Sequence, residues 1–403
     1  MSGDTRILEL VEYETKPFAR HELEPGVAEA LWHSHGKQVA VTEPSFKNDH
    51  QWELTPQGYV GYIPLTSALH LALRPKVPLD NLFHMLEYAY KLGKFLKTDM
   101  VRVESFEELY ERLALVLAQR VLDRARKGLY RGYVDHHEQV PFLRGRMDLQ
   151  RLVRAPWEVR PSCHYQEHTA DVEENQILAW TLFLLPRTGL CRKHSRSTVT
   201  QAFRAVGQAA SLEHVTPQDC LERLYHRLNE DYQPLHALCH FFLAHIGPSY
   251  RSGRKSMLPF LINMNELFEV FVAEWLTRRG LEGLRVKPQH RITWDEAHDM
   301  RSQIDLVLTD KASGRPRCVL DTKYKRAETP AESDIHQAVF YALATGCREA
   351  VLVYPAFLSK PIDTRIDHVH LRTLTFGLDG DLDEAGERFV RALLEGMPEE
   401  PLP

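Results

Sequence analysis

Paired cysteines are missing from this chain. Its six cysteines, Cys163, Cys191, Cys220, Cys239, Cys318 and Cys347, are scattered, and none forms a Cys-x-x-Cys pair. That argues against a zinc ribbon, an iron–sulfur site or a disulfide framework, and a reducing, cytoplasmic setting is expected. No apolar run approaches the ~18 residues of a membrane helix, and no signal-type leader follows Met1, so no membrane association is expected. Gly-x-x-x-x-Gly-Lys-Ser/Thr is absent, so this chain is expected to bind no nucleotide through a P-loop. Net positive charge is also lacking: the formal charge is -5. Any contact with nucleic acid must then come from a local patch or a partner. The basic stretches Arg120 to Arg131, Arg192 to Arg196 and Arg251 to Lys255 are weak evidence one by one, because charge runs are usually solvated faces.

With 403 residues, the chain has room for two or three domains. Residues 1 to about 75 read as strand-rich: Arg6 to Tyr13 partly alternates, Gly58 to Leu65 is a β-type run, and a strand from Leu71 is stopped by proline. Helices are expected over Asn81 to Leu92 and Glu107 to Arg126, from apolar positions at helical spacing. A helical middle follows: Glu173 to Leu185, Val199 to Leu212, Leu221 to Leu228 and Asp231 to His245. From about Leu258 the character changes to α/β, beginning with a helix over Asn263 to Arg279 that Gly280 ends. The expected layout is 1–135, β-rich with helices; 136–257, mostly helical; and 258–403, an α/β domain.

The chemistry is concentrated between Ile304 and Tyr341. Asp305 lies in the apolar run Ile304 to Leu308. Asp321-Thr322-Lys323 closes the run Cys318-Val319-Leu320, and Gln337-Ala338-Val339-Phe340-Tyr341 follows on a helix. Strand side chains alternate, so Asp321 and Lys323 are expected on one face with Thr322 opposite. Asp305, on the neighbouring strand, can bring a second carboxylate near Asp321. Glu269, on the helix before, is the expected third, with Glu266 and Glu274 as alternatives on that helix. Two or three carboxylates suit a hydrated Mg²⁺ (Mn²⁺ the alternative) that takes phosphate oxygens as further ligands. Such an ion polarises a phosphodiester and acidifies a bound water, while Lys323 can orient that water or neutralise developing negative charge. Gln337 and Tyr341 are one turn apart and can orient Lys323, the metal waters or the DNA backbone. The expected site is therefore Asp305, Asp321 and Glu269 as metal ligands, with Lys323, Gln337 and Tyr341 beside them. Asp-x-Lys alone is usually a surface pair; it is the ordered set that carries information.

Histidines offer a rival reading. His33/His35, His136/His137 and His236/His240 are of metal-ligand type. Only the last pair has zinc-like i, i+4 helical spacing, and it lacks the Glu of His-Glu-x-x-His.

The C-terminal third resembles the PD-(D/E)xK nucleases that carry Gln-x-x-x-Tyr. Upstream, Leu73-Arg74-Pro75-Lys76-Val77, Asn81 to Ala89, Leu143 to Asp148, Asp171 to Leu178 and Asn265 to Val272 extend the likeness over most of the chain. As an ordered set they resemble the McrC family, endonuclease subunits of McrBC-type modification-dependent restriction systems. One departure concerns the first acid. Relatives often place it where Gln303 stands here; Asp305 shares that strand face, and which of the two serves stays open. The resemblance implies an α+β multidomain fold with a C-terminal restriction-endonuclease-like domain and a central mixed sheet. It implies double-stranded DNA as substrate, and a McrB-like AAA+ GTPase ring as partner, docked by the N-terminal half. A stand-alone repair-type nuclease and a catalytically weak scaffold or GTPase activator are the alternatives.

Overall fold

The computed structural model describes residues 6–66, 68–90, 105–155, 157–191, 193–221, 223–247, 250–252, 255–295, 300–325 and 327–397. Arg192, Gly253 and Arg254, from two of the basic stretches, lie outside these residues. The chain is mixed α+β with several sheets. It divides into two compact units, residues 1–106 with 249–403, and residues 107–248.

In the first unit, a four-stranded sheet runs Arg6–Val11, Leu69–Arg74, Tyr59–Pro64, Phe260–Asn263. Its first pair is parallel and the others antiparallel. Alternating Leu8 and Leu10 meet Ile63, Leu71 and Leu73 in one buried cluster. The cluster continues into a three-stranded antiparallel sheet, Lys16–Phe18, Trp52–Pro56 and Val39–Thr42, and into helix Pro25–His35 through Ala28 and Leu31. That helix falls in a region expected to be strands. Its proline at the first turn suits a helix start, where the missing N–H has no partner to lose.

The second sheet of this unit has six strands in the order Leu284–Asp295, Met300–Asp310, Pro316–Thr322, Glu349–Tyr354, Val369–Thr375, Asp363–Ile366. The inner pairs, Pro316–Thr322 with Glu349–Tyr354 and the latter with Val369–Thr375, are parallel. Every residue of Glu349–Tyr354 is buried, as a parallel strand covered on both faces must be. Helix Glu332–Thr345 makes the crossover and covers one face with Ala338, Tyr341 and Ala342. Helix Leu382–Glu395 buries Leu382, Ala385, Gly386, Phe389, Val390 and Leu393, a stripe of helical period. Gly386 is required: a Cβ there would lie 2.2 Å from the Trp275 ring. Buried Arg372 donates to the last carbonyls of that helix, Ala392 O at 3.0 Å and Leu393 O at 3.2 Å, where the helix dipole favours a cation.

The second unit is built on helices Phe106–Lys127, Glu173–Leu184, Lys193–Gly207 and Gln233–His245. The helix expected over Leu221 to Leu228 does not form: residues 223–226 carry no regular structure and 227–229 make a turn. Leu221, Leu224 and Leu228 are exposed, so that helical stripe has no core to cover. This unit also holds an antiparallel sheet, Gly132–Gln139, Ser162–Thr169 and Arg146–Met147, absent from the sequence reading. Its strands are polar on both faces, so no alternation marked them. Asn175 fastens the unit. Its Nδ2 donates to Tyr130 O (2.9 Å) and Ala170 O (2.7 Å), and its Oδ1 accepts from the Tyr232 hydroxyl (2.7 Å). Among the described residues, no helix is long and apolar enough to cross a membrane.

Candidate active site

Apolar Cys318, Val319 and Leu320 are fully buried and drive their strand into the six-stranded sheet. The strand ends at Thr322, and the Lys323 amide still donates to Val353 O at 2.8 Å. Asp321 is therefore held at the inner end of the strand and is only 1% exposed. Lys323 Nζ lies 2.7 Å from Asp321 Oδ2 and donates to Gln337 Oε1 at 3.0 Å. Gln337 Nε2 in turn donates to the Tyr341 hydroxyl at 2.8 Å. Asp321, Lys323, Gln337 and Tyr341 thus form one connected chain of polar contacts.

Asp305 opposes Asp321 across the antiparallel ladder, one step beyond the Leu306–Leu320 pair. Its Oδ2 accepts from both the Thr322 amide and the Thr322 hydroxyl, each at 2.7 Å. Thr322 had no expected role; it fixes the orientation of the second carboxylate. Gln303 is exposed and pairs with Arg291 on the other neighbouring strand. Of the two candidates for the first acid, Asp305 is the one the register sets opposite Asp321.

Glu269 projects from helix Met264–Arg279 toward the same carboxylates. Burial pushes its carboxyl up to about 7, Asp305 adds to the rise, and a hydrogen bond from Gln289 opposes it. Asp321 is likewise pushed up to about 7, first by burial; the Lys323 charge opposes this and Asp305 reinforces it. Burial pulls the Lys323 ammonium down, but the Asp321 charge and hydrogen bond outweigh this and leave it raised. Glu269 Oε1 is buried without a hydrogen-bond partner. Glu266, on the same helix, is exposed.

Two further residues belong to this cluster. Gln289 interrupts the ladder between the Pro288–Leu306 and His290–Ile304 pairs, which leaves it opposite Asp305. Its φ of 48° is left-handed, at a cost of about 1–3 kcal/mol for a residue with a Cβ. The readable signal was Pro288 inside a strand run, which marks a break. Asp334, in the first turn of helix Glu332–Thr345, is buried, pairs with Lys325 Nζ at 2.5 Å and accepts from the Tyr354 hydroxyl at 3.2 Å.

The rival histidine site does not assemble at His236 and His240. His236 is fully buried, with Nδ1 against the Tyr225 hydroxyl (2.9 Å) and Nε2 against Glu174 O (3.0 Å). Both ring nitrogens are taken.

The relatives of this mixed α+β chain with its carboxylate–lysine cluster are restriction-system components. A family model described as McrBC 5-methylcytosine restriction system component matches residues 54–355. The chain belongs to that family, and the McrC-type resemblance of its motifs stands. It is 22% identical over 265 residues to the type IV methyl-directed restriction enzyme EcoKMcrBC of Escherichia coli K12, covering 63% of this chain and 75% of that one. Its fold is similar to a chain of a Thermococcus gammatolerans assembly of McrB AAA+ hexamers with bound McrC. That match has a TM-score of 0.57 at 18% identity and covers 97% of this chain and 100% of the other.

Proposed function

We propose that this chain is the DNA-cutting, McrC-type subunit of a modification-dependent restriction complex, with a PD-(D/E)xK site hydrolysing phosphodiester bonds. The observation that carries the reading is the convergence of Asp305, Asp321 and Glu269 beside the Lys323–Gln337–Tyr341 chain. Burial first, and then the Asp305 charge, raise the Asp321 and Glu269 carboxyls, a cost of holding them ionised there. A hard divalent cation relieves it. The donors are all oxygen, and the buried, unpartnered Glu269 Oε1 fits a missing ligand bond. Mg²⁺ is the proposed ion, held by Asp305, Asp321 and Glu269; when bound it supplies Lewis-acid activation of the phosphate and of a water.

The chain's own residues do the rest. Thr322 fixes Asp305 from behind, so that one carboxylate oxygen stays committed and the other is presented. Lys323 carries the positive charge that meets charge developing on the phosphate. Gln337 holds Lys323 by its amide oxygen, and Tyr341 fixes which way that amide points. The proposed partner is a McrB-like AAA+ GTPase ring, on the likeness to an assembly of McrB AAA+ hexamers with bound McrC. The proposed substrate is double-stranded DNA carrying methylcytosine, in keeping with the family's description.

The test is Mg²⁺-dependent cleavage of methylated and unmethylated DNA, with and without the AAA+ partner and GTP, beside Asp321→Ala. Cutting that needs partner, GTP and Asp321 supports the reading. Equal cutting without partner or GTP points to a stand-alone nuclease. GTPase stimulation with no cutting under any condition sinks the nuclease assignment.

A further inference from the structure

The small sheet of the second unit gathers another set of metal-ligating side chains, none of which belongs to the carboxylate cluster. His137 and His164 are direct cross-strand partners, so their side chains leave the same face of the sheet. Their rings stack with centroids 3.6 Å apart. Asp148 arrives from a third element, as N-cap of helix Leu149–Arg154. Its Oδ1 accepts from the Arg151 amide at 3.0 Å, and its Oδ2 lies 3.8 Å from His137 Nε2. One ligand atom of each of the three residues lies within 4.8 Å of the others.

Two backbone features hold this arrangement. Gly145 has a φ of 67°, and a Cβ there would come 2.3 Å from His164 O. Only glycine lets the segment cross the His164 strand so closely. The Asp148 amide then donates to Ser162 O at 2.9 Å, which fastens the acid beside the histidine strand. Ser162 Oγ sits 3.2 Å from His137 Nε2 and orients that ring.

We infer that His137, His164 and Asp148 bind a divalent transition-metal ion of the Zn²⁺ type, with the remaining position open to water. Two imidazoles and one carboxylate are the donor set such an ion takes, whereas Mg²⁺ prefers oxygen alone. A bound ion must lie in the plane of each ring. The rings are now 19° from parallel, so binding splays them, and their exposed position leaves room to do so. Coordination would then tie together two strands and a helix that otherwise share few apolar contacts, since Leu149, Leu152 and Val153 of that helix are all exposed.

The experiment is calorimetric titration of Zn²⁺ into the full chain with Mg²⁺ in excess, so that the acidic carboxylates are already satisfied. One equivalent should bind, raise the thermal midpoint, and disappear in His137→Ala and in His164→Ala. Asp148→Asn keeps the helix cap but loses the anionic ligand, and should weaken binding tenfold or more. His136→Ala, which points to the opposite face, should bind as the parent does. Co²⁺ loaded in place of Zn²⁺ should give a visible d–d band that His137→Ala and His164→Ala lose and that Asp148→Asn reaches only at tenfold or more higher Co²⁺. Circular dichroism without metal checks folding, and His164→Gln replaces any alanine variant that fails it. No bound equivalent in the parent chain, or one that survives all the ligand substitutions, overturns the inference.

Discussion

The Tyr324 hydroxyl donates to the Glu12 carboxylate at 3.0 Å, across 312 residues of sequence. Glu12 is fully buried and also accepts from the Lys76 amide at 3.1 Å. Tyr13 adds a bond from its own hydroxyl to Tyr324 O at 3.2 Å. The residue that follows Lys323 is therefore anchored on the end of the first strand of the chain. Tyr324→Phe should cost about 1–3 kcal/mol, because a buried carboxylate loses a donor. Urea unfolding would register this as a lower midpoint with unchanged slope, and an unchanged midpoint would deny the anchor its weight.

Gln337→Ala should lower cleavage about 10- to 100-fold, the equivalent of one hydrogen bond to a charged group. Tyr341→Phe removes only the outer link of the same chain and should cost less. Single-turnover cleavage rates rank the two; if Tyr341→Phe is the more damaging, the proposed order of the relay is wrong.

Asp321→Asn should abolish the Mg²⁺-dependent rise in thermal midpoint expected of the parent chain. Burial and the Asp305 charge disfavour ionised Asp321 and Glu269, and a bound cation stabilises the fold by mass action. Differential scanning fluorimetry across a Mg²⁺ series checks this without any nuclease assay. An equal shift in both proteins would place the ion elsewhere.

His236 makes the second unit acid-sensitive. Burial pushes its imidazole down to about 4 from an ordinary 6.5. The folded state binds the proton less well than the unfolded chain, so this stabilising contribution is complete above about 6.5 and is lost as pH falls toward 4. Chemical denaturation followed through this window should show declining stability, and His236→Gln should flatten that decline.

Asn175→Ala should destabilise by about 3 kcal/mol or more. It removes one buried bond from the Tyr232 hydroxyl and two half-buried bonds to the Tyr130 and Ala170 carbonyls. Thermal denaturation measures the loss; a change under about 0.5 kcal/mol would mean that water replaces the amide.

The long helices were legible because each carries its apolar stripe locally. Helices Phe106–Lys127 and Met264–Arg279 formed where spacing put them, and Gln337 to Tyr341 lies on helix Glu332–Thr345 as expected. Strand Glu349–Tyr354 is apolar at every position after Glu349, a composition that marks a buried strand. The polar sheet around His137 and His164 carries no such mark, since its strands are held by backbone pairing with no apolar face to read. Nor could chain order show that Phe260–Asn263 pairs with Tyr59–Pro64, because that partnership depends on burial shared between distant segments.

By itself the sequence narrowed the candidate site to Asp321, Lys323, Gln337 and Tyr341, with Asp305 or Gln303 as the first acid and Glu269, Glu266 or Glu274 as the third, and it set the order in which helices and strands supply them. Residue type and spacing are local properties. The tertiary structure decided which first acid opposes Asp321, because strand register sets Asp305 and not Gln303 across the ladder. It also brought in Thr322, Gln289 and Asp334, whose importance lies in what they touch. Hydrogen bonds and charge–charge repulsion act over a few ångströms of space, and only the folded chain determines which residues come that close.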